Sequence, residues 1–269
     1  MPHRSSTGAR VPARTLTAVS RPWLSVVVPA YNEARGILAT AEAIRGTLDA
    51  LGRPWELIVI DNASTDGTAA ALAALTGTDE RIRVLRNDVN SGKGYSVRRG
   101  MLAAAGELRL HCDADCSASL ASLPNLLQAV ESGADVAVGS RLADGASVGQ
   151  RQPLRRRMVG RTFVGLCRLM LREPTRDLFC GFKLWRGPAA EAAYGRVELD
   201  GWVFDAEVLA TARALGLALV EIGVVWSDRE GSRLSMAKVF VPVVRDLLRA
   251  RRSVRAAATA RPVVHEPAG

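Results

Sequence analysis

Short apolar runs rich in β-branched residues alternate with amphipathic segments along most of this chain, and this alternation restricts the possible folds more than any other feature. The first run covers residues 24–28 and stops at Pro29, as a buried strand would. The next segment repeats its apolar residues at steps of three and four up to Gly52, which predicts an amphipathic helix. Further runs predict strands at residues 56–60, 82–85, 107–112 and 135–139, with helices between them.

Strands that alternate with helices at this spacing predict one α/β domain, with a mainly parallel sheet covered by helices on both faces. Functional groups of such sheets gather at the carboxyl ends of the strands, where the sequence places Pro29, Asp61, Asp113 and Arg141. The second half of the chain is less regular. It predicts helices at residues 154–171, 204–215 and 236–252 and strands at 180–185 and 217–226.

The charge balance points to anionic partners. The formal net charge is +9 and is carried almost wholly by arginine, because lysine occurs only at positions 93, 183 and 238. Nucleotides, phosphates and acidic lipid head groups fit this charge, whereas 5% aromatic residues without basic–aromatic interleaving exclude nucleic acid. The four cysteines form no C-x-x-C pair, which favours a reducing, cytoplasmic setting. No run approaches the roughly 18 apolar residues of a transmembrane span, so we expect a soluble or peripheral protein.

Two carboxylates, with one small residue between them, follow the strand predicted at residues 107–112. Asp113 and Asp115 repel each other unless a cation, hydrogen bonds or a proton offsets their charge. Such a pair suits a divalent cation that takes oxygen ligands. The same residues fit a solvated turn without a role, and both interpretations stay open on these residues alone.

Eight short segments occur in a fixed order between residues 26 and 236. Five are VVVPAYNE at 26–33, IDNASTDGT at 60–68, NSGKGYSVRRG at 90–100, DAD at 113–115 and GSR at 139–141. The other three are DLFCGFKLW at 177–185, GWVFDAEVL at 201–209 and EGSRLSM at 230–236. Together they resemble the family 2 glycosyltransferases of the GT-A fold, in the branch that includes dolichyl-phosphate glucosyltransferase and bacterial polyprenyl-phosphate glycosyltransferases.

The resemblance implies a division of the chain into three parts. Residues 23–235 are expected to form the GT-A catalytic domain, with a mainly parallel central sheet flanked by helices. Residues 1–22 are rich in Arg, Ser, Thr, Pro and Ala and lack an apolar core, so we expect a disordered arm rather than a signal peptide. Residues 236–269 are expected to form a basic amphipathic helix and a disordered tail.

The resemblance also implies which residues bind a nucleotide-sugar donor. Pro29, Tyr31, Glu33 and Asp61 would hold the base and ribose. Tyr31 can stack on a base, and Asp61 can accept a hydrogen bond from a base N–H. Lys93 lies in a glycine-rich loop that would contact the diphosphate through its ammonium group and its backbone.

Each of these residues has a structural alternative. Tyr31 can be a loop aromatic that covers the core, and Lys93 can be a solvated lysine in a glycine turn. Asp61 and Asp66 can cap turns, and for Asp66 this is the preferred interpretation.

Asp113 and Asp115 match the metal-binding carboxylates of the family, and Asp113 is also expected to bind the donor. The implied cofactor is Mg²⁺ or Mn²⁺, which would neutralise charge on the departing nucleoside diphosphate. Cys116 and Ser117 depart from the residues expected after this pair, and Ser117 is a further candidate ligand.

The resemblance assigns three residues to catalysis or to the acceptor. Arg141 and Lys183 would bind phosphate of the donor or acceptor, with plain surface charge as the alternative. Asp205 would act as a general base on a hydroxyl acceptor, or would orient a phosphate acceptor, which needs no strong base. Its alternative is an acid stabilised at a helix N-terminus. His111 is interpreted as structural and Trp202 as a core residue.

The predicted function is an inverting, metal-dependent transfer of a hexose, glucose from UDP-glucose, to a polyprenyl or dolichyl phosphate or another phosphate-bearing acceptor. One alternative is transfer to a soluble hydroxyl acceptor in a specialised pathway, and a second is a non-catalytic nucleotide-sugar-binding protein. Basic amphipathic segments at 154–171 and 236–252 favour peripheral contact with an anionic membrane, at its cytoplasmic face. The oligomeric state stays open.

Overall fold

The computed structural model describes residues 21–116, 118–149, 154–227 and 240–259, with backbone only at 154–159 and 240–242. Most of the predicted N-terminal arm, the candidate ligand Ser117 and the segment at 230–236 lie outside the described residues. So do the remaining residues between 228 and 239, which precede the last helix, and the ten residues that follow it. The predicted three-part division of the chain therefore stays a prediction.

Nine strands form in the described part of the chain. They are β1 Leu24–Ala30, β2 Trp55–Asp61, β3 Ile82–Arg86, β4 Leu108–Cys112, β5 Val136–Ser140, β6 Ser147–Val148, β7 Phe182–Arg186, β8 Leu219–Gly223 and β9 Val225–Trp226. The strand predicted at 217–226 is thus divided into β8 and β9.

Eight α-helices form in the same described part of the chain. They are α1 Ile37–Ala50, α2 Thr68–Thr76, α3 Lys93–Ala103, α4 Leu123–Glu131, α5 Leu154–Leu171, α6 Gly187–Tyr194, α7 Phe204–Ala214 and α8 Phe240–Thr259. Helix α6 was not expected from the sequence. None of the helices so described is both long enough and apolar enough to cross a bilayer.

The main sheet has seven strands in the order β3-β2-β1-β4-β7-β5-β8. All neighbours are parallel except β7, which runs antiparallel to both β4 and β5. The predicted α/β class with a mainly parallel sheet is confirmed. Because β7 runs the other way, its first residues lie beside the carboxyl end of β4, with Lys183 opposite His111. This reversal brings a distant lysine to the edge where functional groups gather.

The sheet has an apolar core on each face. Val26 and Val28 of β1 pack in one core with α1 and α4, whereas Val27 packs in the other with α3, α7 and α8. This alternation follows from the period of two in a strand. Both faces are covered, which is why β1 and β2 consist of almost unbroken apolar residues.

Helix α3 lies so close to the sheet that Gly100 faces it directly. A Cβ atom at position 100 would lie 2.4 Å from Val27 Cγ1 and 3.1 Å from Ile60 Cδ1. The exposed Gly46 of α1, by contrast, has open space where a Cβ would stand.

We therefore expect opposite effects from two identical substitutions. Gly46→Ala should stabilise the fold by up to about 1 kcal/mol through helix propensity. Gly100→Ala should destabilise it by about 1–3 kcal/mol, because overpacking outweighs the same propensity gain. Urea denaturation of both variants measures the difference, and a stabilised Gly100→Ala would contradict this close packing.

Candidate functional site

The site forms where the carboxyl ends of β1, β2 and β4 meet the start of β7. Asp113 follows β4 directly, and its backbone N–H donates to the Gly181 carbonyl at 3.0 Å. A Cβ at position 181 would lie 2.0 Å from Asp113 Oδ2, so only glycine leaves room for this carboxylate. The chain before β7 therefore fixes the direction in which Asp113 points.

Five side chains form a chain of contacts that begins at His111 and ends at Lys183. His111 Nε2 lies 3.3 Å from Asp113 Oδ1, and Lys93 Nζ lies 2.7 Å from the same oxygen. Lys93 Nζ is also 3.8 Å from Asp205 Oδ2. The other oxygen of Asp205 accepts a hydrogen bond from Lys183 Nζ at 2.5 Å. Two ammonium groups thus alternate with two carboxylates.

Burial and charge together set the protonation states of these five contacting side chains. Burial opposes ionisation of Asp113, but the Lys93 ammonium and the His111 imidazole together outweigh it and hold the pKa of Asp113 well below its usual range. Burial likewise lowers the pKa of Lys93, yet Asp113 and Asp205 raise that pKa above its ordinary value. Burial lowers the pKa of His111. Asp113 and Lys93 are therefore a charged pair beside a neutral imidazole at neutral pH.

The part of this contact network that contains Asp205 and Lys183 is buried. Asp205 lies in the first turn of α7 and is buried, as the helix-terminus interpretation expects. Lys183 is fully buried, and its ammonium donates to the Cys180 carbonyl at 2.7 Å as well as to Asp205. The donors of Lys183 therefore face protein atoms in this structure, and its predicted contact with phosphate stays a prediction.

Trp202 stands at the entrance of the site. It lies between β7 and α7 in sequence, its side chain is 47% exposed, and Lys93 Nζ lies 5.3 Å from its ring centroid. The interpretation of Trp202 as a core residue is wrong. Its apolar character suggested burial, and only the tertiary structure shows that it is an aromatic surface beside a charged pair.

The glycine-rich loop before α3 is held by protein contacts. Gly94 N–H donates to the Asp200 carbonyl at 2.7 Å, and a Cβ at Gly92 would lie 2.3 Å from that oxygen. Ser91 N–H donates to Asn62 Oδ1 at 3.1 Å. These two backbone donors thus have protein acceptors, and the predicted contact of the loop with a diphosphate stays a prediction. The side chain of Lys93 is 13% accessible.

The candidate nucleotide residues follow β1 and β2. Tyr31 is 45% exposed, which excludes the alternative that it covers the core. Asp61 is buried, and its Oδ1 accepts from Ser64 N–H at 2.9 Å. Asp66 accepts from Thr68 N–H at 2.9 Å. The turn-capping interpretation is thus confirmed for both acids, while the donor-binding role of Asp61 stays a prediction.

Pro29 and Glu33 lie at the same edge. Pro29 is the sixth residue of β1, so the strand continues past the expected stop. Glu33 begins the turn into α1, and its backbone N–H donates to Thr68 Oγ1 at 2.9 Å. Their predicted contacts with base and ribose stay predictions.

Arg141 follows β5 and is fixed by a bidentate pair with Asp177. Its Nε and Nη2 donate to the two Asp177 oxygens at 2.8 and 2.7 Å, and its guanidinium lies 4.7 Å from the centroid of the Trp226 ring. Asp177 was not singled out from the sequence. Its position 36 residues away carries no local signal of the pairing.

Asp115 lies in a tight turn closed by a hydrogen bond from Cys116 N–H to the Asp113 carbonyl at 3.0 Å. Thr40 Oγ1 holds the same turn by donating to the Ala114 carbonyl at 2.7 Å. Asp115 is partly exposed. In the described ranges no group of three or more His, Cys, Asp or Glu side chains could hold a metal by itself. A cation on this pair of carboxylates would complete its shell with water and phosphate oxygens, as Mg²⁺ commonly does.

Comparison with known sequences gives a consistent result. Residues 25–194 match the profile of Glycosyl transferase family 2. Dolichyl-phosphate beta-glucosyltransferase of Saccharomyces cerevisiae is 30% identical over 84% of this chain and 73% of the relative, and the Mus musculus protein of that name is 32% identical over 84% and 74%. Glycosyltransferase AglD of Haloferax volcanii is 32% identical over 84% of this chain, which spans only 36% of that relative.

Solved structures share the fold. Glucosyl-3-phosphoglycerate synthase of Mycobacterium tuberculosis, solved with Mn²⁺, UDP-glucose and glycerol 3-phosphate, superposes with a TM-score of 0.63 at 20% identity, over 87% of this chain and 81% of that one. A mannosyltransferase of Pyrobaculum calidifontis, solved with GDP-mannose and Mn²⁺, gives a TM-score of 0.57 at 19% identity, over 88% and 74%.

We expect Lys183→Met to destabilise the fold by about 3–5 kcal/mol, because it leaves the buried Asp205 without its nearest cation. Asp205→Asn should also destabilise it, whereas the double variant should lose less than the sum of the two. Thermal and urea unfolding measure all three. Arg196→Met, at an exposed arginine of the same region, is the control and should change stability by no more than about 0.5 kcal/mol. Additive losses would contradict the coupling of Lys183 and Asp205.

Proposed function

The chain belongs to glycosyl transferase family 2 and is a glycosyltransferase of the GT-A fold, and on this basis we propose that it transfers glucose from UDP-glucose to a polyprenyl phosphate. The transfer would invert the anomeric configuration and would need Mg²⁺ or Mn²⁺. The observation that carries the proposal is the Asp113–Asp115 pair at the end of β4, with the Lys93 ammonium beside it. Relatives named dolichyl-phosphate beta-glucosyltransferases favour this donor and acceptor.

On the donor side, Tyr31 would stack on the base and Asp61 would accept a hydrogen bond from it through Oδ2. That oxygen lies 3.4 Å from the Arg86 guanidinium, while Oδ1 is engaged by the turn. Pro29 and Glu33 would line the same pocket. The exposed Tyr31 and the position of all four residues at the ends of β1 and β2 support these roles.

The residues present fit a hard divalent cation, because Asp113 and Asp115 offer carboxylate oxygens from one rigid turn. When bound, the cation would neutralise charge that builds on the leaving nucleoside diphosphate. Lys93 would contact the same diphosphate with its exposed edge, and its pairing with Asp113 fixes the ammonium in place. The indole of Trp202 would border the transferred sugar.

On the acceptor side, a phosphate monoester is largely ionised at neutral pH, since its second pKa is near ~6. It therefore needs no strong general base. Asp205 fits this chemistry, because its oxygens face two lysine ammonium groups and no solvent. We assign Asp205 and Lys183 to positioning Lys93, and Arg141, oriented by Asp177, to the acceptor phosphate.

A soluble phosphate-bearing or hydroxyl acceptor is the second candidate. A structural neighbour solved with phosphoglyceric acid and UDP-glucose favours it. Membership in a family of enzymes sets aside a non-catalytic binding protein.

Peripheral contact with an anionic membrane would bring a lipid acceptor to the site. Helix α8 exposes Leu248 among Arg245, Arg249 and Arg252, and each arginine near such a surface contributes ~1 kcal/mol. Helix α5 exposes Leu169 beside Arg168 in its last turn. The side chains of the arginines at 155–157 lie outside the described residues. Location at the cytoplasmic face is part of this proposal.

We expect Asp113→Asn and Asp115→Asn each to lower transfer at least about 100-fold, because each removes a carboxylate ligand of the cation that would neutralise the leaving diphosphate. The measurement is incorporation of labelled glucose from UDP-glucose with Mn²⁺. Glu131→Gln, at an exposed acid on the far end of α4, should leave transfer unchanged. Full activity in both aspartate variants would contradict the assigned site.

A panel of labelled UDP- and GDP-sugars with polyprenyl phosphate or soluble acceptors tests the acceptor. We expect label in the organic phase with UDP-glucose and polyprenyl phosphate. Label that appears only in water-soluble product, and is abolished by Asp205→Asn, would favour the soluble hydroxyl acceptor and overturn the lipid assignment.

A further inference from the structure

Two cysteine thiols flank the carboxylate pair. Cys112 is the last residue of β4 and is buried, and Cys116 closes the following turn and is partly exposed. Their Sγ atoms lie 3.8 Å apart. Cys112 and Cys116 are in the thiol form, as are Cys167 and Cys180. The turn hydrogen bond from Cys116 N–H to the Asp113 carbonyl folds the chain back and brings the two thiols together.

We propose that Cys112 and Cys116 are a modification site, at which a reversible disulfide forms by exchange with a low-molecular-weight disulfide such as oxidised glutathione and lowers glycosyl transfer. The Cys116 thiolate attacks one glutathione sulfur, which forms a mixed disulfide and releases one glutathione thiolate. The Cys112 sulfur then attacks Sγ of Cys116 while its proton passes to the departing glutathione thiolate, which closes the protein disulfide and releases the second glutathione. Two protein thiols are oxidised as one glutathione disulfide is reduced to two thiols.

The order of these steps follows from exposure. Cys116 is partly exposed, whereas Cys112 is buried in the apolar core against which Cys116 packs. A small disulfide can therefore reach Cys116 first, and the neighbouring thiol completes the exchange without a second collision.

Closure must move at least one of the two sulfur atoms. A disulfide has an S–S distance of about 2.0 Å, well below the 3.8 Å between these sulfurs. Cys112 is held in the sheet opposite Phe182, so Cys116 is the sulfur that shifts. Cys116 already has a left-handed backbone, with φ +47°, and the two carboxylates lie between the cysteines. The crosslink would therefore tie both ends of the turn that carries Asp113 and Asp115 to each other.

The sequence offers a clean measurement. Trypsin cleavage after Arg109 and Arg141 yields one peptide, residues 110–141, that contains Cys112 and Cys116 and no other cysteine. We would treat the full chain with oxidised glutathione, block the remaining thiols with N-ethylmaleimide, and determine the mass of this peptide. We expect it to lack both maleimide groups and to have lost two hydrogens, and dithiothreitol should reverse the change.

Two variants sharpen the test. Cys116→Ser should abolish closure, and Cys167→Ser, at a buried cysteine of α5, should leave closure intact. A peptide that stays fully alkylated, or retains a glutathione on Cys116, would overturn the proposal. In parallel, closure should lower transfer at least about tenfold, as displaced metal-site geometry does. Closure with unchanged transfer would overturn the regulatory part. The peptide mass is read without donor or acceptor, so it is informative even if the proposed function fails.

Discussion

The contact of Lys93 with both Asp113 and Asp205 is the interaction on which the site depends. It joins the first residue of α3, the end of β4 and the first turn of α7, three elements that are far apart in sequence. Lys183 extends it to β7. In a buried setting, two carboxylates and two ammonium groups balance each other, and the loss of any one leaves an uncompensated charge. The elements must therefore dock together for the charges to be tolerated, which couples the geometry of the site to the packing of the whole domain.

Helix α8 supports the same site from the opposite side of α7. Glu207 of α7 is buried, and burial raises the pKa of its carboxyl. Its oxygens accept hydrogen bonds from Leu199 N–H at 2.9 Å and from Ser253 Oγ of α8 at 2.5 Å. The segment that holds Leu199 continues to Asp200, whose carbonyl anchors Gly94 beside Lys93. The last helix is thus linked through three hydrogen bonds to the backbone of Gly94, the residue that follows Lys93, and it packs in the same apolar core as α7.

The strands and helices of the first half could be predicted because each is specified by its own residues. Periods of two and of three to four residues are local properties, and they placed α1 and β1 to β5 within a few residues. The direction of β7 could not be predicted, since an apolar run does not indicate which way a strand runs between its neighbours. The site divides in the same way. Asp113 and Asp115 could be identified from the sequence because they directly follow a predicted strand. The pairing of Lys183 with Asp205 and the exposure of Trp202 depend on contacts between distant segments.

The charge of the site explains why a basic chain would still need a cation for its proposed donor. Each basic residue that the sequence predicted to bind phosphate is paired with a carboxylate in the structure. Lys93 pairs with Asp113, Lys183 with Asp205 and Arg141 with Asp177. Asp115 adds a fourth acid at the same turn, so this set carries four carboxylates and three cationic side chains. A nucleoside diphosphate that approached this set alone would meet no net positive charge, whatever the +9 of the whole chain. A divalent cation on Asp113 and Asp115 would make the local net charge positive. The ion pairs with Asp113 and Asp177 would meanwhile hold Lys93 and Arg141 in fixed positions, from which they would contact the substrates without reorganisation.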